Sequence, residues 1–287
     1  MIIGSNKKVV IENIKNALEN DEHDRKVEVG DPNLTSEQKE QIINRYLENR
    51  NKLSYKIKNK LARILINIAA SIQNKETEIV GLENIKDIKT GAIITSNHFN
   101  PLDSTVVQTA IKRVGKNRLY IVGQEENLAM QGFIGFIMNY ADIIPISNQI
   151  SYMKKEFPEL IQNRLKKNDY ILIYPEQEMW FNYRKPRKLK PGAYYFAAKN
   201  NVPVISCFVE MQDKEEKDNE EFYKVKYRLH ILPPIYPDAN KTAKENSVIM
   251  MEKDYKQKQE AYEKAYNQKL DYEFNIEDIA GWIKKEN

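Results

Sequence analysis

Short apolar runs rich in β-branched residues recur near residues 91–96, 118–123, 142–147, 169–174 and 202–209, with helical patterns near 101–114, 151–167 and 191–200 between several of them. That alternation leaves few options. Parallel neighbours need crossover connections, so the chain is expected to form an α/β fold: a central, mostly parallel sheet with helices on both faces. A further strand is expected from Phe222 to Leu232, where apolar and basic residues alternate, which places His230 towards solvent. The preceding Gln212 to Glu221 reads as a charged loop.

Helical flanks complete the organisation. Residues 1–50 read as two charged helices divided by Val29-Gly30-Asp31-Pro32-Asn33, the second opening on a Thr35/Gln38 capping box. Residues 241–270 form a long polar helix with Met251, Tyr255, Tyr262 and Tyr266 along one side. The expected division is a helical region at 1–75, an α/β domain at 76–240 and a helical tail at 241–287.

The first strand, Ala92-Ile93-Ile94-Thr95, runs into Ser96-Asn97-His98-Phe99-Asn100-Pro101-Leu102-Asp103. In a continuous helix of ~3.6 residues per turn, His98 and Asp103 would point roughly 140° apart. A turn can pair them. Asn100 suits an N-cap and Pro101 the first helical position, which puts Asp103 on the first turn, facing back towards His98. Such a pair has the composition of a base and its orienter, but an aspartate there also complements the helix dipole without any chemistry. The residues alone leave both open. With three histidines dispersed and a single cysteine, Cys207, no metal site is expected.

From His98 onward the chain resembles the glycerolipid acyltransferase family, the phosphatidate-forming 1-acylglycerol-phosphate acyltransferases and their relatives. Asn97, His98 and Asp103 match its first motif, Asn-His-x-x-x-x-Asp. Tyr174-Pro175-Glu176 stands where the third motif has Phe-Pro-Glu, followed by Lys190-Pro191-Gly192-Ala193-Tyr194, and Val202-Pro203-Val204-Ile205 resembles the fourth. The likeness covers roughly residues 80–235. It departs at two arginines: none lies in Asp142-Ile143-Ile144-Pro145-Ile146-Ser147, and Met179 occupies the other position. Those arginines are the family residues that meet a phosphate-bearing acceptor.

The resemblance implies acyl transfer from acyl-CoA or acyl carrier protein to a hydroxyl of a lysophospholipid or related lipid, with no bound cofactor. His98 is then the general base, Asp103 its orienter, and Asn97, Tyr174, Pro175 and Glu176 belong to the substrate site. Arg184 and Lys185, in the run Arg184-Lys185-Pro186-Arg187-Lys188-Leu189-Lys190, stand in for the missing arginines or lie in a solvated loop. A thioester hydrolase, or a lipid-binding protein without catalysis, is the competing expectation.

Charge argues against nucleic acid as partner, since 45 basic residues face 41 acidic ones for a net +4. Membrane contact has better support. Between Lys52 and Lys75 there is no acidic residue, and Leu53, Ile57, Leu61, Ile64, Leu65, Ile68 and Ile72 form one helical stripe flanked by Lys56, Lys58, Lys60 and Arg63. The stripe either packs on the sheet or lies in an anionic bilayer surface, together with residues 128–138. The N-terminus shows no secretory pattern and the lone cysteine suits a reducing compartment. The expected location is cytoplasmic, peripheral at the inner face of the cell membrane.

Overall fold

The computed structural model describes residues 6–30 and 32–283, leaving outside it Asp31 of the expected loop, the first five residues and the last four of the expected tail. In chain order come α1 (Lys7–Glu19), α2 (Ser36–Asn49), α3 (Leu53–Gln73), β1 (Glu78–Val80), α4 (Glu83–Lys86), β2 (Ala92–Thr95) and α5 (Ser104–Arg113). Then follow β3 (Leu119–Gln124), α6 (Gly132–Tyr140), β4 (Ile143–Ile146), α7 (Ile150–Lys154), α8 (Glu156–Leu165) and β5 (Tyr170–Ile173). The chain closes with α9 (Gly192–Lys199), β6 (Val204–Lys217), β7 (Tyr223–Ile231) and α10 (Ala243–Tyr266).

One seven-stranded sheet, ordered β1-β7-β6-β2-β5-β3-β4, carries the fold. Among the described residues, the β6–β7 pair alone of these strand pairs is antiparallel. The central strands β2 and β5 are apolar along nearly their whole length because both faces are covered. On one face Val106, Val107, Ala110 and Ile111 of α5 pack against Ile94, Leu172 and Ile205. On the other, α8, α9 and Met250 of α10 pack against Ile93, Ile171 and Val204. A third apolar cluster joins Val10, Ile11 and Ile14 of α1 to Trp180, Phe181 and Phe222.

The C-terminal helix is not peripheral. Asp254 and Lys258, one turn apart on α10, are fully buried and paired at 2.6 Å. Lys258 Nζ also donates to Thr95 Oγ1 at 2.9 Å, and Thr95 and Tyr194 donate to Asp254 Oδ2. This network fastens α10 to the end of β2, three residues before His98.

Several expected boundaries shift for identifiable reasons. The helix expected over 151–167 splits at Lys155 (φ −123°, ψ −70°), three residues before Pro158, whose missing N–H and ring oppose an unbroken helix. The segment expected as a charged loop after Gln212 instead extends β6 to Lys217, pairing with β7 beyond the core, where charged side chains on both faces hide the alternation. His230 is turned to Glu210 on the neighbouring strand, Nε2 to Oε2 2.7 Å, and does not face open solvent. The Thr35/Gln38 capping box forms as expected.

The basic helix is packed with its polar side inward. On α3, Asn59, Ala62 and Ala70 are buried, and Asn59 Nδ2 donates to Asp142 Oδ1 (2.8 Å) within a network that includes Arg118. The apolar stripe faces outward: Leu53, Ile57, Leu61, Ile64, Ile68 and Ile72 are each 48–73% exposed. Phe133 (66%) and Ile134 (47%) on the adjoining α6 are exposed as well. No helix among the described residues is long and apolar enough to cross a membrane.

Candidate active site

The loop leaving β2 brings His98 and Asp103 together. His98 Nδ1 lies 2.7 Å from Asp103 Oδ2. The same oxygen accepts the backbone N–H of Phe99 (2.9 Å) and Asn100 (3.3 Å), and Oδ1 accepts the Tyr174 hydroxyl (2.5 Å). Burial and the neighbouring carboxylate push the Tyr174 phenol well above its ordinary range, so it remains a donor. Every partner of the Asp103 carboxylate is therefore a donor, and His98 completes the set with its Nδ1–H. That fixes the tautomer and leaves the Nε2 lone pair as the ring's basic site.

The helix expected from Pro101 starts later for the same reason. Asn100 Oδ1 accepts from Leu102 N (3.0 Å) in a turn, and Asp103 occupies the N-cap position of α5 without capping it. Its carboxylate reaches backwards into the loop. Asp103 is thus the organiser of the His98 turn, and its side chain makes no capping hydrogen bond to α5.

The third motif clamps the histidine from β5. The Tyr174 ring stacks on the His98 ring, with centroids 3.9 Å apart and planes 15° apart. Glu176 Oε2 accepts from His98 N (3.2 Å), and Trp180 N donates to His98 O (3.0 Å). The imidazole itself keeps 22% of its surface open.

Several residues assigned to the substrate site turn out to hold the scaffold. Asn97 is buried, its Oδ1 accepting from Val209 N (2.8 Å) and its Nδ2 donating to Val209 O (3.1 Å), which tethers the loop to β6. Glu176 is also buried, between His98 N, Arg187 N (3.0 Å) and the Arg187 guanidinium. Pro175 is covered, its carbonyl accepting from Lys190 N (2.9 Å). The backbone N–H groups of Gln177 and Glu178 donate to Tyr174 O and Glu176 O within the same loop, so they are not free to meet a developing oxyanion.

The basic run is tied into the fold by ion pairs, with Arg184, Lys185 and Arg187 largely covered and Lys188 and Lys190 half exposed. Arg184 pairs with Asp213 (2.5 Å), and Lys185 lies between Asp271 and Asp278, 2.9 Å from each. Lys188 pairs with Asp21 (2.6 Å) and Lys190 with Asp24 (2.7 Å). Neither Arg184 nor Lys185 replaces the missing arginines, because Asp213 of β6 already neutralises the first and Asp271 and Asp278 near the C-terminus the second.

Arg187 is the residue the sequence concealed. It is fully buried, and its guanidinium donates to Glu176 Oε2 (3.2 Å), to His23 O (2.8 Å) and to Glu178 O. Burial lowers its pKa despite the Glu176 partner. Within a run of five cations nothing marks one as interior. The only hint was its position eleven residues after Glu176.

Gln177, directly after Pro175-Glu176, has φ +68°, in the left-handed region that favours glycine. A side chain there costs about 1 kcal/mol. Gln177→Gly is expected to raise stability by about that amount with transfer activity retained, as read by urea denaturation. Equal or lower stability would show that the Gln177 side chain contributes contacts that outweigh its backbone strain.

Comparison with known proteins agrees with this architecture. Residues 76–210 match the family model described as Acyltransferase. The crystal structure of the 1-acyl-sn-glycerophosphate acyltransferase PlsC from Thermotoga maritima superposes with a TM-score of 0.50 at 17% identity, over 81% of this chain and 90% of that one. At that identity the likeness is one of fold. No curated protein sequence matches the chain.

Proposed function

We propose, from the match of residues 76–210 to the family model described as Acyltransferase, that the chain moves a fatty acyl group from an acyl thioester to a hydroxyl of a lysophospholipid or related lipid. The donor is acyl-CoA or acyl carrier protein. The observation that carries this reading is the His98–Asp103 pair, oriented with Nε2 available. Nε2 removes the acceptor proton as that oxygen attacks the thioester carbonyl; Asp103 stabilises the imidazolium that forms. The tetrahedral intermediate collapses with loss of the thiolate, which takes the proton back from Nε2. No enzyme nucleophile is needed. Cys207 is unsuited to that role, since burial pushes its thiol up to about 12.

The acceptor reaches this site at a membrane surface, at the inner face of the cell membrane. Support comes from the outward-facing stripe of α3, the exposed Phe133 and Ile134 beside it, and the adjoining lysines. Each buried Leu or Ile contributes about 1.5–3 kcal/mol and each Lys or Arg near an anionic surface about 1 kcal/mol. Ile57→Glu combined with Ile64→Glu is expected to weaken sedimentation with anionic liposomes at least tenfold, with circular dichroism unchanged. Undiminished sedimentation would remove α3 from the membrane account.

The reading is tested by incubating the protein with long-chain acyl thioester and lysophospholipid, then detecting the doubly acylated lipid by mass spectrometry. Product that requires His98 supports it. Free fatty acid in place of product identifies a hydrolase, and binding without either identifies a lipid-binding protein.

A further inference from the structure

A recess adjoins the catalytic loop, and nothing in the mechanism above uses it. Its volume is about 310 Å³, at the lower end of small-molecule sites, which run to about 300–1,000 Å³. It lies between the C-terminal end of α3, the turn after His98 and the β6–β7 hairpin. Asn100, two residues from His98, forms part of one wall, and Ile72, the last residue of the exposed α3 stripe, forms another. The recess thus connects the proposed membrane face with the loop that holds the base.

Its lining has a definite chemistry. Tyr223 and Tyr227 contribute aromatic surface. Lys214 is paired with Glu76 at 2.6 Å and Lys224 with Glu216, so cations and carboxylates alternate along the walls. Asn182 also lines the recess; its Nδ2 donates to Ala280 O (2.9 Å), while its Oδ1 has no hydrogen-bond partner. Interleaved donors and acceptors beside aromatic rings suit a ligand rich in hydroxyls. A terminal phosphate dianion asks for several uncompensated cations, and of the lining lysines Lys214, Lys224 and Lys226 already face carboxylates, which leaves Lys75 beside Glu76.

The site nearer His98 points the same way. Met179 and residues 142–147 supply no arginine, and all five cations of the run at 184–190 are paired within the fold. Resting on the acyl-transfer reading, we infer that the acceptor is a lysophospholipid with a polyhydroxylated headgroup, a phosphodiester-linked polyol seated in this recess, and not the bare phosphate monoester.

Binding tests this separately from catalysis. Glycerophosphoinositol and glycerol 3-phosphate, both soluble, are titrated into the full chain carrying His98→Ala, followed by saturation-transfer NMR. The polyol diester is expected to bind at least fivefold more tightly, and Glu216→Lys or Lys75→Glu, both at exposed positions lining the recess, to weaken it at least fivefold. Equal binding of the two probes, no binding of either, or indifference to both substitutions overturns the inference. Turnover provides the second arm: with one acyl donor, lysophosphatidylinositol is expected to exceed lysophosphatidate at least tenfold in kcat/KM, with Glu216→Lys raising KM and sparing kcat. Transfer without that preference overturns the headgroup assignment and leaves acyl transfer standing. Selective probe binding with no transfer to any lysolipid keeps the recess as a polyol site and overturns the acyltransferase reading.

Discussion

His98→Ala is expected to lower acyl transfer about 10²- to 10⁴-fold, the range that positioned general-base catalysis supplies, while leaving the fold intact. The second half follows from the geometry of the turn. Asp103 holds the loop through Phe99 N, Asn100 N and the Tyr174 hydroxyl, and none of these depends on the imidazole. Removing the ring loses its stack on Tyr174 and its bond to Asp103, yet the backbone anchors from Glu176 and Trp180 remain. Asp103→Asn behaves differently. The amide brings donors into a pocket already filled with donors, so it is expected to reduce both activity and stability. Steady-state rates, together with thermal unfolding of both variants, separate the two roles: loss of activity alone in His98→Ala, loss of both in Asp103→Asn. Wild-type rates in His98→Ala would exclude the histidine as base.

Arg187→Met is expected to destabilise the protein by about 3–5 kcal/mol, because it leaves Glu176 buried without its cation. The guanidinium also holds the carbonyls of His23 and Glu178, so it ties the N-terminal segment and the Tyr174–Trp180 loop to one point. Trp180 is held from the same segment, its Nε1 donating to Arg25 O (3.0 Å). Lysine is no substitute, since a single ammonium cannot span three acceptors in the plane that guanidinium does. The double variant Glu176→Gln with Arg187→Met removes the unpaired charge and is expected to recover part of the loss. Urea denaturation of the two single variants and the double variant gives the coupling directly. A change below about 1 kcal/mol in Arg187→Met would mean that Glu176 is satisfied without it.

The sheet was legible because β2, β3, β5 and the first half of β6 are interior strands, where burial on both faces demands apolar runs, and edge strand β4 keeps a short apolar run of its own. Elements whose stability comes from elsewhere were not. Three-residue β1 carries no pattern of its own and exists through its pairing with β7. The outer half of β6 is charged on both faces because it leaves the core. Pro158 did signal the break before α8, but the apolar spacing around it masked the signal. At the site, the His98–Asp103 partnership was legible from spacing and motif together. The fates of Asn97, Glu176, Arg184 and Lys185 were not, because whether a polar side chain meets substrate or scaffold depends on what the chain's distant ends bring to it. Asp21, Asp24, Asp271 and Asp278 arrive from those ends to neutralise the basic run. The stripe on α3 was visible as a pattern, and only packing decided which side of the helix faces out.

The central claim is that His98 activates the hydroxyl of a lipid acceptor and not water. It is tested most directly by the rate of thiol release from a long-chain acyl thioester, with and without lysophospholipid, in wild type and in His98→Ala. The account predicts slow release without acceptor, a large acceleration when the lysolipid is added, and loss of that acceleration in His98→Ala. Fast release that ignores the acceptor, or acceleration that survives His98→Ala, would contradict it.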